Sequence, residues 1–454
     1  MGNSHFSQLC LPLLREGDAA GHPQPFLGGV ALFVLLLLPG QPASAANWLQ
    51  LQGNETPSAP MFRTFGFVQP SYTYIDAGPV SGLQGASAAF NGRYSTLNLN
   101  WPELQQAQQF QVIRAGLGAR GKLNDDINYS LALDAGQNGV NYYRDVMLTD
   151  ASLTFNYIPG ARIRAGLFKL PTSDEALLAV NSAFPYVYNS NAVLYMLVGL
   201  PVEANGTVSV SGASSAKLAS GFSGFRDWGV QAYDWFNFGA WEYSYAAMVS
   251  NGAPIESIND TDNNKDLTLR VQSSRIFGGQ GPNREDLSMF AWQQSGARTF
   301  GGQSFSMVRQ GVGAKYLQGA YRVTGEYLRG DGMIVGGQTP PFVGQAFAAG
   351  VNEKAAGWYL EGGWRFMPQW EADLRYDYLD FMTQTAANER ELATTTAGVQ
   401  YFINPATHVI FNYEWRAMKV TNPLAIAAGA TRTNTLAIAG NLGNRISLQL
   451  TWSF

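Results

Sequence analysis

The chain has a single cysteine, Cys10, and it lies within the first 45 residues, which read as a removable leader. Beyond them no thiol exists for a disulfide, a thiolate metal site, a Cys-x-x-Cys-His haem attachment or a lipid-bearing cysteine. Histidine is almost as scarce. His5 and His22 fall in the same leader and only His408 remains, so zinc and haem ligation have little to use. No nucleophile stands at a readable spacing from His408, and one imidazole cannot serve several Ser/His/Asp or Cys/His sets. The chain therefore reads as non-enzymatic, with no catalytic residue, no metal and no cofactor expected. Charged residues make up only 14%, and loss of Arg15, Glu16 and Asp18 with the leader moves the formal net charge from −4 to −3. A nucleic-acid partner, which needs a basic surface, is not expected. After residue 45 no apolar run is long enough for a transmembrane helix.

The leader has the grammar of export. Residues 26–38 run Phe-Leu-Gly-Gly-Val-Ala-Leu-Phe-Val-Leu-Leu-Leu-Leu, then Pro39, Gly40 and the small-residue site Ala43-Ser44-Ala45, with cleavage expected before Ala46. The region ahead of it is long and holds only Arg15 as a cation, as a start codon placed too early would produce.

What the chain does have is 50 Gly, 26 Phe, 21 Tyr and 11 Trp in an exported protein of low charge. That suits a β-barrel with aromatic girdles, although a secreted β-sandwich or propeller shares the composition. The last ten residues alternate strictly. Ile446, Leu448, Leu450, Trp452 and Phe454 make one face; Arg445, Ser447, Gln449, Thr451 and Ser453 make the other. Trp452 and Phe454 are read as the C-terminal signal presented to the barrel assembly machinery. The same period recurs in 370–378, where Glu371, Asp373, Arg375 and Asp377 share a face, and in 408–416. Charges on an inward face exclude a dry sandwich core but suit a wet lumen.

About sixteen such strands are expected, near 62–74, 110–123, 127–136, 146–157, 161–171, 227–236, 240–251, 265–275, 287–294, 306–317, 320–330, 356–366, 370–380, 392–403, 407–416 and 444–454. Connections after even strands are tight, as at Asn124-Asp125-Asp126, Ile158-Pro159-Gly160 and Asn404-Pro405-Ala406, with 276–286 a moderate exception. Those after odd strands are mostly long: 75–109, 172–226, 252–264, 331–355 and 417–443. Short and long connections alternate in outer-membrane barrels, with the short turns and both termini periplasmic. The expected organisation is therefore a signal peptide over 1–45, a periplasmic lead-in over 46–61 and an antiparallel transmembrane β-barrel over 62–454. Its surroundings would be the lipid and lipopolysaccharide of a Gram-negative outer membrane.

Polar parity assigns the lumen. One quadrant offers Arg114, Arg120, Lys122, Arg162 and Arg164; the wall of strands 11 to 13 offers Glu326, Glu361, Glu371, Asp373 and Asp377. Two readings stand: an anion-attracting constriction in a transverse field, or lumen ion pairs that brace the wall. The long connection 172–226 carries apolar runs at 176–180 and 195–198, which should be covered, either inside the lumen or by a neighbouring subunit or partner. Asp260-Thr261-Asp262-Asn263-Asn264-Lys265-Asp266 lacks the Gly and terminal Glu of a calcium loop and reads as a solvated outer loop.

Several segments resemble the phosphate-selective porin O and P family. They are Ala165-Gly166-Leu167-Phe168-Lys169-Leu170-Pro171 with Glu175, then Phe225-Arg226-Asp227-Trp228-Gly229-Val230-Gln231, Asn251-Gly252, and Lys265-Asp266-Leu267 with Arg270. Gly325-Glu326-Tyr327, Gly357-Trp358-Tyr359 and Arg375-Tyr376-Asp377 follow in order. The resemblance implies a sixteen-stranded barrel, usually a homotrimer, with loop 3 folded inside. The stretch Ala46 to Glu55 is similar to a subgroup encoded beside selenite/tellurite-reduction and extracellular electron-transfer proteins. That likeness implies passage of metalloid oxyanions, or a barrel that sheathes a multihaem cytochrome. Phosphate-selective members carry a ladder of lumen arginines and a lysine cluster. Here carboxylates outnumber cations on strands 11 to 13 and lysine is scarce, so no phosphate-site residues are carried across.

Overall fold

The computed structural model describes residue 48 and residues 54–55, 59–76, 79–80, 93–94, 108–136, 146–180, 184–197, 207–208, 213–217, 225–252, 260, 262–279, 284–300, 302–336 and 346–454. The expected signal peptide lies outside the described residues. Sixteen antiparallel strands close into one barrel. They are β1 (Arg63–Asp76), β2 (Gln108–Lys122), β3 (Ile127–Asp134), β4 (Met147–Phe155), β5 (Arg162–Lys169), β6 (Arg226–Phe238), β7 (Trp241–Ser250) and β8 (Asp266–Gly278). Then come β9 (Glu285–Phe300), β10 (Gln303–Gln318), β11 (Tyr321–Asp331), β12 (Lys354–Met367), β13 (Trp370–Phe381), β14 (Arg390–Asn404), β15 (Thr407–Val420) and β16 (Asn444–Ser453). Each strand pairs with its sequence neighbours, and β1 pairs with both β2 and β16.

Burial runs opposite to that of a water-soluble protein. In β16, Ser447, Gln449 and Thr451 are buried while Leu448, Leu450 and Trp452 are exposed. Leu267, Leu269 and Val271 of β8 are exposed against buried Thr268, Arg270 and Gln272. The apolar parity thus faces out and the polar parity in, which is stable only with hydrocarbon outside. Ten residues of β16 rise roughly 33 Å, or about 24 Å along the membrane normal at a usual tilt, matching an apolar band of about 25 Å. Outward aromatic pairs mark both rims. Trp370 and Tyr401 (centroids 4.6 Å apart) sit by the short turns, and Tyr413 and Trp415 (4.6 Å) toward the other end.

The seam closes on the last residue. Phe454 and Gly66 exchange two backbone hydrogen bonds of 3.0 Å. The Phe454 ring lies where a side chain on Gly66 would go, 2.3 Å from an added Cβ. The two-residue turns at 239–240 and 319–320 depend on Gly239 (φ 60°) and Gly319 (φ 57°), in the left-handed region.

Two features differ from expectation. The β9–β10 hairpin continues past the alternating core to Phe300↔Gln303. Beyond the bilayer both faces meet water, so pairing continues where the alternation at Gly296-Ala297-Arg298 has lapsed. The β13–β14 connection is likewise only 382–389. Within the expected lead-in over 46–61, the described residues include Trp48 and Glu55. Trp48 is buried among Tyr233, Ala246 and Leu177, and Glu55 pairs with Arg63 and Arg120. A lone indole with no strand pairing gives no period to read, and it buries its ring wherever an apolar surface is offered.

Candidate functional site

The β5–β6 connection, 170–225, supplies two short helices, α1 (Asp174–Leu177) and α2 (Asn191–Leu197). Their residues and the stretch 184–190 bond to lumen-parity side chains on many strands. Gln69 of β1 donates to the Val180 carbonyl (2.7 Å), and Thr73 of β1 bonds the Tyr188 hydroxyl (2.7 Å). Asn412 of β15 accepts from Val187 N (2.8 Å), and Asp377 of β13 from Asn191 N (2.9 Å). Arg309 of β10 donates to the Met196 carbonyl (2.9 Å). Glu326 of β11 is the densest latch. It accepts from Ser173 Oγ (2.6 Å), Asp174 N (3.3 Å), Trp292 Nε1 (2.6 Å) and Tyr359 OH (2.9 Å). The segment is therefore held inside the lumen by walls on opposite sides.

The apolar face of α2 also has a seat. Ala192 to Leu197 pack on Phe290, Trp292, Leu328, Tyr359, Leu379, Phe381 and Leu392. These wall residues occupy lumen parity on β9 and β11 to β14, where an otherwise polar face turns apolar near one end. That lapse was present in the sequence and marks where the loop docks.

The five basic residues grouped from sequence are spread along the barrel axis. Arg120 pairs with Glu55, and Lys122 with Asp125 (2.8 Å), at the short-turn end. Arg162, just after the 156–161 turn, pairs with Asp234 and stacks over Trp235 (4.0 Å). Arg164 meets Asp150 (3.1 Å) and Ser152 (3.0 Å). Of the five, Arg114 touches the inward loop, donating to the Val187 carbonyl (3.2 Å) and to Gln69 (3.3 Å). On the acidic wall Arg322 gathers Glu361 (2.8 Å), Glu371 (3.3 Å) and Asp373 (2.6 Å). Asp377 instead bonds Asn191 and lies 3.8 Å from Arg375. Most of these charges sit in wall-bracing pairs.

The cations that meet the loop were largely unforeseen. Lys169 donates to the Ala176 and Leu178 carbonyls (2.8 Å each). Arg270 reaches Thr172 and Asp174, and Lys315 reaches Asp174 (3.1 Å). Arg375 and Arg445 lie over the Tyr186 and Tyr188 rings at 4.2 and 3.5 Å. Burial holds both tyrosine hydroxyls above the usual phenol range, so they stay neutral. Parity alone could place these cations inward but not at the loop's depth.

A closed barrel with a polar interior, a lipid-ready exterior and a loop drawn into its lumen is the build of an outer-membrane porin. The sequence model of the family "Phosphate-selective porin O and P" matches residues 89–196 and 292–438, more than half of the chain, and the protein belongs to that family. A solved porin shares the fold. OmpF of Salmonella typhi, in complex with daunomycin, aligns at 12% identity and TM-score 0.53 over 87% of this chain and 97% of its own. An anion-selective porin from Comamonas acidovorans aligns at 14% identity and TM-score 0.48, over 87% and 99%. No curated protein matches the chain.

Proposed function

We propose that this porin passes small hydrophilic solutes by diffusion, with a lean toward oxyanions of the selenite, tellurite or phosphate kind. The observation that carries the reading is that residues 170–180 and 184–197 are pinned across a wet, charged lumen, which leaves a restricted path rather than an open tube. The anion lean rests on the side where that segment leaves the wall. There Lys169 and Arg226 are direct cross-strand partners, and Arg114 stands nearby on β2. The bonds of Lys169 and Arg114 go to carbonyl and amide oxygens, which orient the cations, and Asp134 and Asp150 are the carboxylates beside them. The facing carboxylates Glu361, Glu371 and Asp373 are held by Arg322. Export after removal of residues 1–45 and assembly as a homotrimer belong to the same reading. A sheath around a multihaem cytochrome would need the space that the loop fills.

The test is the reversal potential of the purified protein in a planar bilayer under a salt gradient, followed by selenite and phosphate competition. Anion preference that falls in Arg114→Gln supports the reading. Equal anion and cation permeability in the native protein overturns the lean, and absence of channels from well-folded protein overturns the porin reading for this chain.

A further inference from the structure

The outer wall carries polar residues where lipid-facing parity calls for apolar ones. Arg329 of β11 is exposed between buried Leu328 and Gly330, so its side chain points away from the lumen. Its cross-strand partner on β10 is Gln310, and the partner of Gln310 on β9 is Gln293. Both glutamines are exposed, and Gln310 Nε2 donates to Gln293 Oε1 (2.9 Å). Pairing the two amides lowers the cost of placing them on this face, yet each keeps hydrogen-bonding capacity that the other cannot fill.

Depth gives the row its meaning. Two residues nearer the short turns, on the same parity, stand Val312, Tyr327, Trp358 and Tyr378, cross-strand partners in turn. Such rings mark where an apolar band gives way to headgroups. Arg329 stands eight residues on from Tyr321, which opens β11 at the 319–320 turn. That is a climb of roughly 20 Å along the membrane normal at a usual tilt, against an apolar band of about 25 Å. With the short turns periplasmic, Arg329 reaches the headgroup border of the outer leaflet.

Charge is unevenly spread along the same row. Among the described residues no carboxylate pairs with Arg329, and its neighbour Asp331 is taken by Lys354 (3.3 Å). Farther round, Asp380 of β13 and Glu391 of β14 are cross-strand partners, and Glu391 holds Lys419 of β15 (2.7 Å). The short side chain of Ala356 separates the basic stretch from the acidic one.

We propose that Gln293, Gln310 and Arg329 form a docking site on the outer wall for a phosphorylated glycolipid of the outer leaflet. The Arg329 guanidinium offers a planar fork of donors to a lipid phosphate. The glutamine amides offer donors and acceptors to the sugar hydroxyls beside that phosphate. Tyr327 and Trp358, exposed one step inward, border the upper acyl chains. Asp380 and Glu391 repel the same headgroup, so the lipid is placed on β9 to β11 and not spread around the rim. The inference uses the barrel and its membrane and is independent of what the lumen passes.

The experiment titrates delipidated, detergent-held protein with a diphosphorylated glycolipid and with its dephosphorylated form, and reads occupancy by native mass spectrometry. The proteins are the native chain, Arg329→Ala, Arg329→Lys and Lys419→Ala, each checked for folding by heat-modifiable mobility. Arg329→Ala should bind the phosphorylated lipid about ten-fold more weakly than native protein. Arg329→Lys should fall between them, and Lys419→Ala should stay near native. The dephosphorylated lipid should bind native protein as weakly as the phosphorylated one binds Arg329→Ala. Equal affinity in folded native and Arg329→Ala protein overturns the site, and so does indifference to the phosphates. Displacement of the lipid by inorganic phosphate alone overturns the lipid assignment. Because Arg329 lies outside the lumen, Arg329→Ala should keep the native reversal potential, so this inference and the porin reading fail separately.

Discussion

Glu326→Gln tests whether the inward loop is latched by chemistry or merely lodged. Glu326 Oε2 accepts from Ser173 Oγ, Tyr359 OH and Asp174 N, and Oε1 accepts from Trp292 Nε1. A glutamine keeps the shape but must aim an NH₂ at one of these groups. If it replaces Oε1, the Trp292 N–H faces a donor; if it replaces Oε2, the Asp174 N–H does. One charge-assisted bond is lost whichever way the amide turns, and the others weaken to neutral strength. With hydrogen bonds to charged groups contributing about 1.5–3 kcal/mol and neutral ones about 1, the latch loses about 3 kcal/mol even after allowance for non-additivity. A loss of that size shifts the local docked-to-released equilibrium of α1 roughly a hundredfold. The loop's other ties, at Gln69, Asn412 and Asp377, remain, so the expected result is loosening at α1 and not expulsion. Single-channel recordings should then show a noisier open level with excursions to a larger conductance, and folded variant protein should be cut faster by protease within 172–180. A variant with native noise, native conductance and native protease resistance would refute the latch.

Other outcomes follow from the same geometry. Arg322→Met leaves Glu361, Glu371 and Asp373 facing one another without their shared cation. It should cost about 3–5 kcal/mol, read as an earlier unfolding transition in detergent. Leu448→Arg puts a charge on the lipid face in mid-strand and should cost about 2–4 kcal/mol. Ser447→Thr, one residue away on lumen parity, should be near neutral in the same refolding titration. Deleting Phe454 removes the mutual bonds with Gly66 that close β1 on β16, and the yield of heat-modifiable barrel in membranes should fall. N-terminal sequencing of outer-membrane protein should begin at Ala46; a start elsewhere would refute the assigned cleavage site.

Alternation alone specified the barrel. Each of the sixteen strands overlaps the stretch where alternation put it, because a strand between lipid and water must change polarity at every residue, and that period survives in one dimension; only β9 and β10 run well past it. The short turns were equally legible, since Gly239 and Gly319 carry their conformational reason locally. Depth and partnership were not. Arg114, Arg120, Lys122, Arg162 and Arg164 share an inward parity, yet Arg120 and Lys122 are spent on ion pairs at the short-turn end while Arg114 meets the loop. Period tells which face a residue takes; the pairing register and the fold of the connections tell what stands opposite it. The apolar seat for α2 on β9 and β11 to β14 was visible only as a lapse in the polar parity, and it acquires meaning once the helix lies on it. Trp48 left no pattern at all. Its place inside the lumen is decided by apolar surface far from it in the chain, on the β6–β7 hairpin, where Tyr233 and Ala246 are cross-strand partners, and on α1, which the fold sets beside that hairpin.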